Sequence, residues 1–273
     1  MAEEDTQPLA LQWTYSFSRD VAGGVVSLAN GEDSRVAFAS AHTLVLYDEI
    51  EHTQQLLQGH KNPISALVAS PDRRIIVTAD KGPDSLLVVW DPLEGEPLLT
   101  IVEPHPGGVA AIDLCTGPAG NLQMATVGAV DPRTGEQSIA LRDVFGASDE
   151  PLAVCPIPVG DAQHFVTINH ENTAELMTNG EQRVYFWGSQ LPTSGTFKYY
   201  SPPLSQRDFK QAIGKFTQSA FVPGTTQAVT GTEDGDVVIW EQQGVSAQIG
   251  TRATDRGAIK LLRVHHTAVL TVT

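Results

Sequence analysis

Basic side chains are scarce in this sequence of 273 residues: seventeen lysines and arginines face thirty-two aspartates and glutamates, for a formal net charge of -15. That surplus repels polyanions, which argues against sequence-independent nucleic-acid binding and favours basic partners. Cysteine is scarcer still. Cys115 and Cys155 stand forty residues apart with no nearby histidine at a nucleophile or zinc spacing, so each is expected to be a small core residue. No Asn-x-Ser/Thr sequon occurs, and the opening MAEEDTQPLA lacks the basic-then-apolar layout of a secretory signal. A reducing, intracellular compartment is the expectation. No apolar run approaches the roughly 20 residues that cross a bilayer, so no membrane contact is expected.

Helical periodicity is scarce as well. What fills the chain instead is a succession of short alternating or apolar runs, such as RVAFAS, TLVLYD, RIIVTAD, SLLVVWD, RVYFWG and DVVIWE, punctuated by Gly, Pro, Asn and Asp. This is an all-β pattern, with an apolar fraction of 41% that is ample for a core.

The runs repeat. One period starts at Gly59-His60, passes through NPISALVASPDRRIIVTAD and closes at Trp90-Asp91; a second copy, QSAFVPGTTQAVTGTEDGDVVIWE, closes at Trp240. Weaker endings fall at Tyr47-Asp48, Arg142-Asp143 and Trp187-Gly188, so that successive endings are 43, 52, 45 and 53 residues apart. That spacing is near the roughly 40 to 45 residues of a four-stranded propeller blade. A lone blade cannot bury both faces of its sheet, whereas stacked blades cover one another. The reading is an acidic tail over residues 1–8 followed by a β-propeller over 9–273. About five and a half four-stranded blades are visible, an incomplete ring that a C-terminal continuation or another chain is expected to complete.

Within a blade the third-strand Trp is buried, and its indole N–H needs an acceptor, because an unsatisfied buried donor costs about 1 to 3 kcal/mol. Thr78 is placed to accept from Trp90, and His60 to link that hydroxyl to a carboxylate in the following turn. The turn DKGPD offers two carboxylates, Asp80 and Asp84. Asp84 lies six residues before Trp90, the offset that separates Asp234 from Trp240, and is favoured on that ground. Gly82 and Pro83 make the turn a rigid one. As a catalytic acid/base pair Asp80 and Asp84 lack a pocket pattern or a second histidine.

Other motifs resolve to structure. AIGKFT has Phe209 and Phe216 where a phosphate loop needs Gly and Ser/Thr, so Gly214-Lys215 is read as a turn and Phe216 as packed between blades. His265-His266, adjacent on a strand, point to opposite faces and do not share a metal. His164 and His170 are read as rim or turn residues. Trp13, Trp187 and Trp240 are expected to be buried. No catalytic, cofactor-binding or metal-ligating set is assigned. A propeller enzyme would need titratable groups converging on a central pocket, and the inner-strand candidates are mainly Ala, Val, Ile, Phe and Thr. The long connection 188–212, with Tyr199, Tyr200, Arg207 and Lys210 outside the regular strands, is the candidate for partner contact.

The pattern GH…T…D…WD resembles the hydrogen-bonded chain of WD-repeat proteins. More specifically, LQGHKNPISALVASPDRRIIVTADKGPDSLLVVWD, with LALQWTYSFS, SAHTLVLYD, IGKFTQSAF and GAIKLLRVHHTAVLTVT, resembles a ciliary family over nearly the whole chain. Its members are the cilia- and flagella-associated WD-repeat subunits of the calmodulin- and spoke-associated complex, at the base of the third radial spoke. The resemblance implies a non-enzymatic axonemal scaffold whose partners are spoke-base proteins, and a doublet microtubule reached through neighbours. A microtubule-associated WD-repeat protein outside the spoke complex is the alternative. The sequence holds no basic amphipathic helix of the kind calmodulin grips, so a calmodulin link would run through a neighbour.

Overall fold

The computed structural model describes residues 11–21, 23–30, 34–148, 150–189, 197–204, 213–241, 244–249, 259, 261–265 and 268–272; the acidic segment 1–8 lies outside them. All regular structure among the described residues is β. The first sheet holds β1 (Val25–Ser27), β2 (Val36–Ser40), β3 (Thr43–Asp48) and β4 (Thr53–Gln58). The second holds β5 (Ile64–Ala69), β6 (Ile76–Asp80), β7 (Leu86–Asp91) and β8 (Glu96–Val102), and the third β9 (Val109–Thr116), β10 (Leu122–Gly128), β11 (Gln137–Asp143) and β12 (Ala153–Ile157). In the fourth are β13 (Phe165–Ile168), β14 (Glu175–Asn179), β15 (Val184–Ser189) and β16 (Phe197–Tyr200). The fifth comprises β17 (Phe216–Phe221), β18 (Gln227–Thr232), β19 (Val237–Glu241) and β20 (Gly244–Ile249), and a two-stranded sheet of β21 (Leu261–His265) and β22 (Ala268–Val272) follows.

Each four-stranded sheet is an antiparallel meander in which sequence neighbours pair in order. Aspartate closes the third strand of the first two sheets. Asp48 Oδ1 accepts the N–H groups of Ile50 and Glu51 at 2.8 and 3.0 Å, and Asp91 Oδ1 those of Leu93 and Glu94 at 2.8 and 3.3 Å. These side-chain turns satisfy backbone donors just where the strand must reverse.

Because side chains alternate across a strand, every third strand serves two neighbours. In β7, Val88 and Trp90 pack with Leu44, Leu46 and Ala37 of the first sheet, while Leu87 and Val89 pack with Leu114 and Met124 of the third. Ile139 and Leu141 of β11 meet Leu176, Tyr185 and Trp187 of the fourth sheet. Phe186 and Met177 meet Trp240 and Phe216 of the fifth. Each interior sheet is therefore apolar on both faces and buried by the sheets before and after it, an arrangement consistent with the blades of a WD-like propeller.

The first strands of successive sheets lie side by side. Ser65 Oγ of β5 donates to Val109 O of β9 at 2.6 Å, and Ile168 N of β13 donates to Asp113 Oδ2 of β9 at 2.7 Å. They line a cavity of about 500 Å3.

Candidate functional site

Among the described residues, buried polar groups form hydrogen-bond chains in several of the sheets. An indole N–H can only donate, so a hydroxyl that receives it must pass its own proton to a further acceptor. In the second sheet Trp90 Nε1 donates to Thr78 Oγ1 at 2.8 Å, Thr78 Oγ1 lies 2.7 Å from His60 Nε2, and His60 Nδ1 lies 3.0 Å from Asp80 Oδ2. A neutral His60 protonated on Nδ1 makes every link in this chain run in one direction, from Trp to carboxylate. Burial lowers the His60 pKa below its ordinary value against the opposing pull of Asp80, which fits the neutral ring.

The carboxylate in this chain is that of Asp80, not Asp84. Asp80 is wholly buried at the end of β6 and also accepts Leu86 N at 2.9 Å and Asn62 N at 3.4 Å. Asp84 sits out on the turn in a left-handed conformation (φ 51°), exposed, with Lys61 Nζ 3.2 Å from its Oδ2. Asp84 keeps the six-residue offset from Trp90, but on the Lys-Gly-Pro turn that offset places it at the surface.

Asp234 is likewise exposed and stands outside the Trp240 chain. There Trp240 Nε1 donates to Thr230 Oγ1 at 2.9 Å, Thr230 Oγ1 meets Ser219 Oγ at 2.8 Å, and Ser219 donates to Asn179 Oδ1 of the fourth sheet at 2.8 Å. Thr232 Oγ1, two residues before Asp234, accepts Asp236 N at 3.0 Å, the turn duty that Asp80 performs for Leu86.

Two further chains escape motif reading. In the fourth sheet Trp187 Nε1 donates to Thr178 Oγ1 at 3.0 Å, and Thr178 donates to Gln163 Oε1 at 2.9 Å. Gln163 Nε2 then reaches Asp161 O at 3.1 Å, and Asp161 Oδ2 accepts Gln182 N and Arg183 N. Gln163 thus does the work of His60. In the third sheet His105 joins Thr126 Oγ1 through Nε2 and Ser138 Oγ through Nδ1, both at 2.8 Å, while Arg142 occupies the position of the tryptophan. Burial and the Arg142 cation push the His105 pKa down to about 4. A threonine nine to twelve residues before a third-strand Trp is the signal that links Thr178, Thr230 and Thr78.

Thr78, His60 and Asp80 have the connectivity of a hydroxyl nucleophile, its base and an orienting carboxylate. Thr78 is wholly buried, and its oxygen is taken up by Trp90 and His60, so the hydroxyl is not presented to a substrate. In the inner cavity, the half-buried Asp113 has its pKa raised by desolvation, and Leu114 N and Ile168 N hold its two oxygens at 3.0 and 2.7 Å. Its carboxylate joins two sheets. Burial raises the Cys115 thiol to about 12, far from the thiolate that nucleophilic chemistry needs.

Several expectations change. Tyr199 and Tyr200 lie on β16, the outer strand of the fourth sheet, and not on an irregular connection; they are 49% and 44% exposed. Arg207 and Lys210 lie outside the described residues, as do the side chains of His265 and His266. Trp13 is 37% exposed and stands edge-on to Tyr47 at 6.4 Å, in contrast to Trp187 and Trp240, each 1% exposed. Cys155 is half-buried, so only Cys115 is a true core thiol.

The class defined so far is an all-β protein of serially stacked four-stranded meanders, joined by Thr-centred hydrogen-bond chains. A family model described as the CFAP251 N-terminal domain matches residues 9–273, and the chain belongs to the cilia- and flagella-associated protein 251 family. It is 46% identical over 278 residues to cilia- and flagella-associated protein 251 of Chlamydomonas reinhardtii, covering 97% of this chain and 34% of that protein. The Tetrahymena thermophila protein of the same name is 37% identical over 257 residues, covering 93% and 25%. Echinoderm microtubule-associated protein-like 4 of Mus musculus is 23% identical over 274 residues, covering 89% and 24%. The chain spans about a third or less of the length of these relatives.

Proposed function

We propose that residues 9–273 form blades of a WD-repeat β-propeller that acts as a non-enzymatic scaffold in the axoneme of the motile cilium or flagellum. In this reading its surfaces help anchor the third radial spoke to the doublet microtubule. Its partners are spoke-base proteins and subunits of the calmodulin- and spoke-associated complex, and the microtubule is engaged through neighbours. Family membership is the observation that carries the reading. The polar groups agree with it: His60, Thr78 and Asp80 are spent on bracing the second sheet, and Asp113 on linking the third sheet to the fourth. An acidic chain also binds basic neighbours more readily than acidic tubulin.

Crosslinking mass spectrometry on intact axonemes tests the proposal. The expected result is crosslinks from this chain to spoke-base subunits; crosslinks confined to tubulin would contradict it. The weaker similarity to a microtubule-associated protein favours one alternative, direct microtubule binding outside the spoke. Strong, salt-sensitive cosedimentation of the isolated chain with microtubules would support that alternative.

A further inference from the structure

Residues 11–18 run as an extended ribbon across the first sheet with the usual polarity reversed. Thr14, Ser16 and Ser18 bond to the protein, while Gln12 is exposed. Thr14 N donates to Gln54 Oε1 at 3.0 Å, and Gln54 Nε2 returns a bond to Thr14 O at 3.1 Å. Thr14 and Ser16 hydroxyls meet Ser40 Oγ at 3.0 and 3.4 Å, while Ser18 N donates to Ala39 O at 2.7 Å and Ser18 Oγ accepts Ala41 N at 3.0 Å. The apolar members face water: Leu11 is 51% exposed, Tyr15 96% and Phe17 60%, with Trp13 half-covered by the Tyr47 edge. A contiguous apolar row on a surface otherwise rich in charge marks an interaction site.

Two observations narrow the occupant. First, the backbone N–H and C=O groups of Trp13, Tyr15, Ser16 and Phe17 have no partner among the described residues, whereas those of Thr14 and Ser18 are engaged. Among the described residues the ribbon therefore offers an open edge to an extended chain, the geometry of strand addition. Second, the turn between β3 and β4 beside the ribbon presents exposed Glu49 and Glu51 around Ile50, itself 74% exposed; Arg19, at the far end, is paired with Asp20. A second copy of this chain, with a net charge of -15, would be repelled.

We propose that the Leu11–Phe17 ribbon docks an extended, basic segment of another protein. Apolar side chains of that segment lie on Trp13, Tyr15 and Phe17, its backbone pairs with the open edge, and its lysines or arginines face Glu49 and Glu51. The proposal rests on the scaffold reading and gives it one partner surface.

Fluorescence anisotropy with the full chain tests it, using a labelled peptide of alternating Lys and Val, its Glu/Val counterpart, and a Lys/Val peptide N-methylated at alternate residues. The expected result is binding of Lys/Val alone, weakened about tenfold both by N-methylation and by the paired change Tyr15→Ser and Phe17→Ser. The unfolding midpoint of that exposed double variant is expected to stay unchanged. Equal binding of the Glu/Val peptide, or a titration that the double variant leaves unaltered, would overturn the proposal. So would light scattering showing a dimer of the chain that the double variant dissolves. The assay contains no axonemal protein, so its failure is distinct from failure of the scaffold reading, which the crosslinks decide.

Discussion

His60 and Asp80 face each other at 3.0 Å with both side chains shut off from water, Asp80 two residues beyond the threonine that holds Trp90. The pair terminates the hydrogen-bond chain of the second sheet, the neutral ring donating to the carboxylate. Replacing Asp80 by Asn sets an amide against the His60 N–H and removes the charge that gathers Leu86 and Asn62; the expected cost is about 3 kcal/mol. Asp84→Asn loses an exposed ion pair with Lys61 and is expected to cost less than about 0.5 kcal/mol. Urea unfolding of the two variants separates the assignments.

The acid limb of stability follows from the buried imidazoles. Folded His105 titrates at about 4 and folded His60 below its ordinary value, whereas unfolded histidine titrates near 6.5. Between these values the unfolded chain binds more protons, so stability is complete above about pH 6.5 and declines as pH falls toward 4. His105 alone accounts for up to about 3 kcal/mol of that decline. Unfolding midpoints measured from pH 7.5 down to pH 4.5 check this, and a flat profile would refute it.

Gln163 shows what can stand in for a histidine. It bridges Thr178 to Asp161 without a titratable ring. His60→Gln is accordingly expected to keep most of the stability at pH 7 and to remove the His60 share of the acid limb while leaving that of His105, whereas His60→Ala leaves the Thr78 hydroxyl without its acceptor and costs about 3 kcal/mol. Parallel pH-dependent unfolding of both variants reads the difference.

Thr178→Val preserves shape but removes the acceptor of the Trp187 indole. A loss of about 1 to 3 kcal/mol is expected, together with a changed Trp187 emission. Thr230→Val should behave in the same way toward Trp240.

Gly108, at φ 81°, lies where the second and third sheets meet, and a Cβ there would come within 2.4 Å of Lys81 Cα. Gly108→Ala is expected to cost more than about 2 kcal/mol, because backbone and not a movable side chain must yield. Gly120, at φ 79°, meets nothing within 4 Å, and its alanine variant should cost only about 1 kcal/mol for the left-handed backbone. Thermal unfolding distinguishes the pair.

The sequence announced the inner three strands of each sheet more clearly than the outer one. β6, β7 and β10 are buried on both faces and read as apolar runs, while β8 and β16 expose nearly every residue and carry little pattern. Tyr199 and Tyr200, exposed on such an outer strand, carry the sequence pattern of a loop. The Trp90–Thr78–His60 chain was legible because its residue types are restrictive. Asp80 was legible only as one of two candidates, since an offset counted back from Trp90 favours Asp84 and does not register which carboxylate is buried. Gln163, Ser138 and Ser219 were hidden because any acceptor at the right point in space completes the chain, and space is what a single sequence does not print.

Tomography of axonemes from cells lacking this protein tests the central claim most directly. The scaffold account predicts missing density at the base of the third radial spoke, with the doublet lattice intact, restored when the protein is supplied. An unaltered third spoke beside a damaged microtubule wall would contradict it.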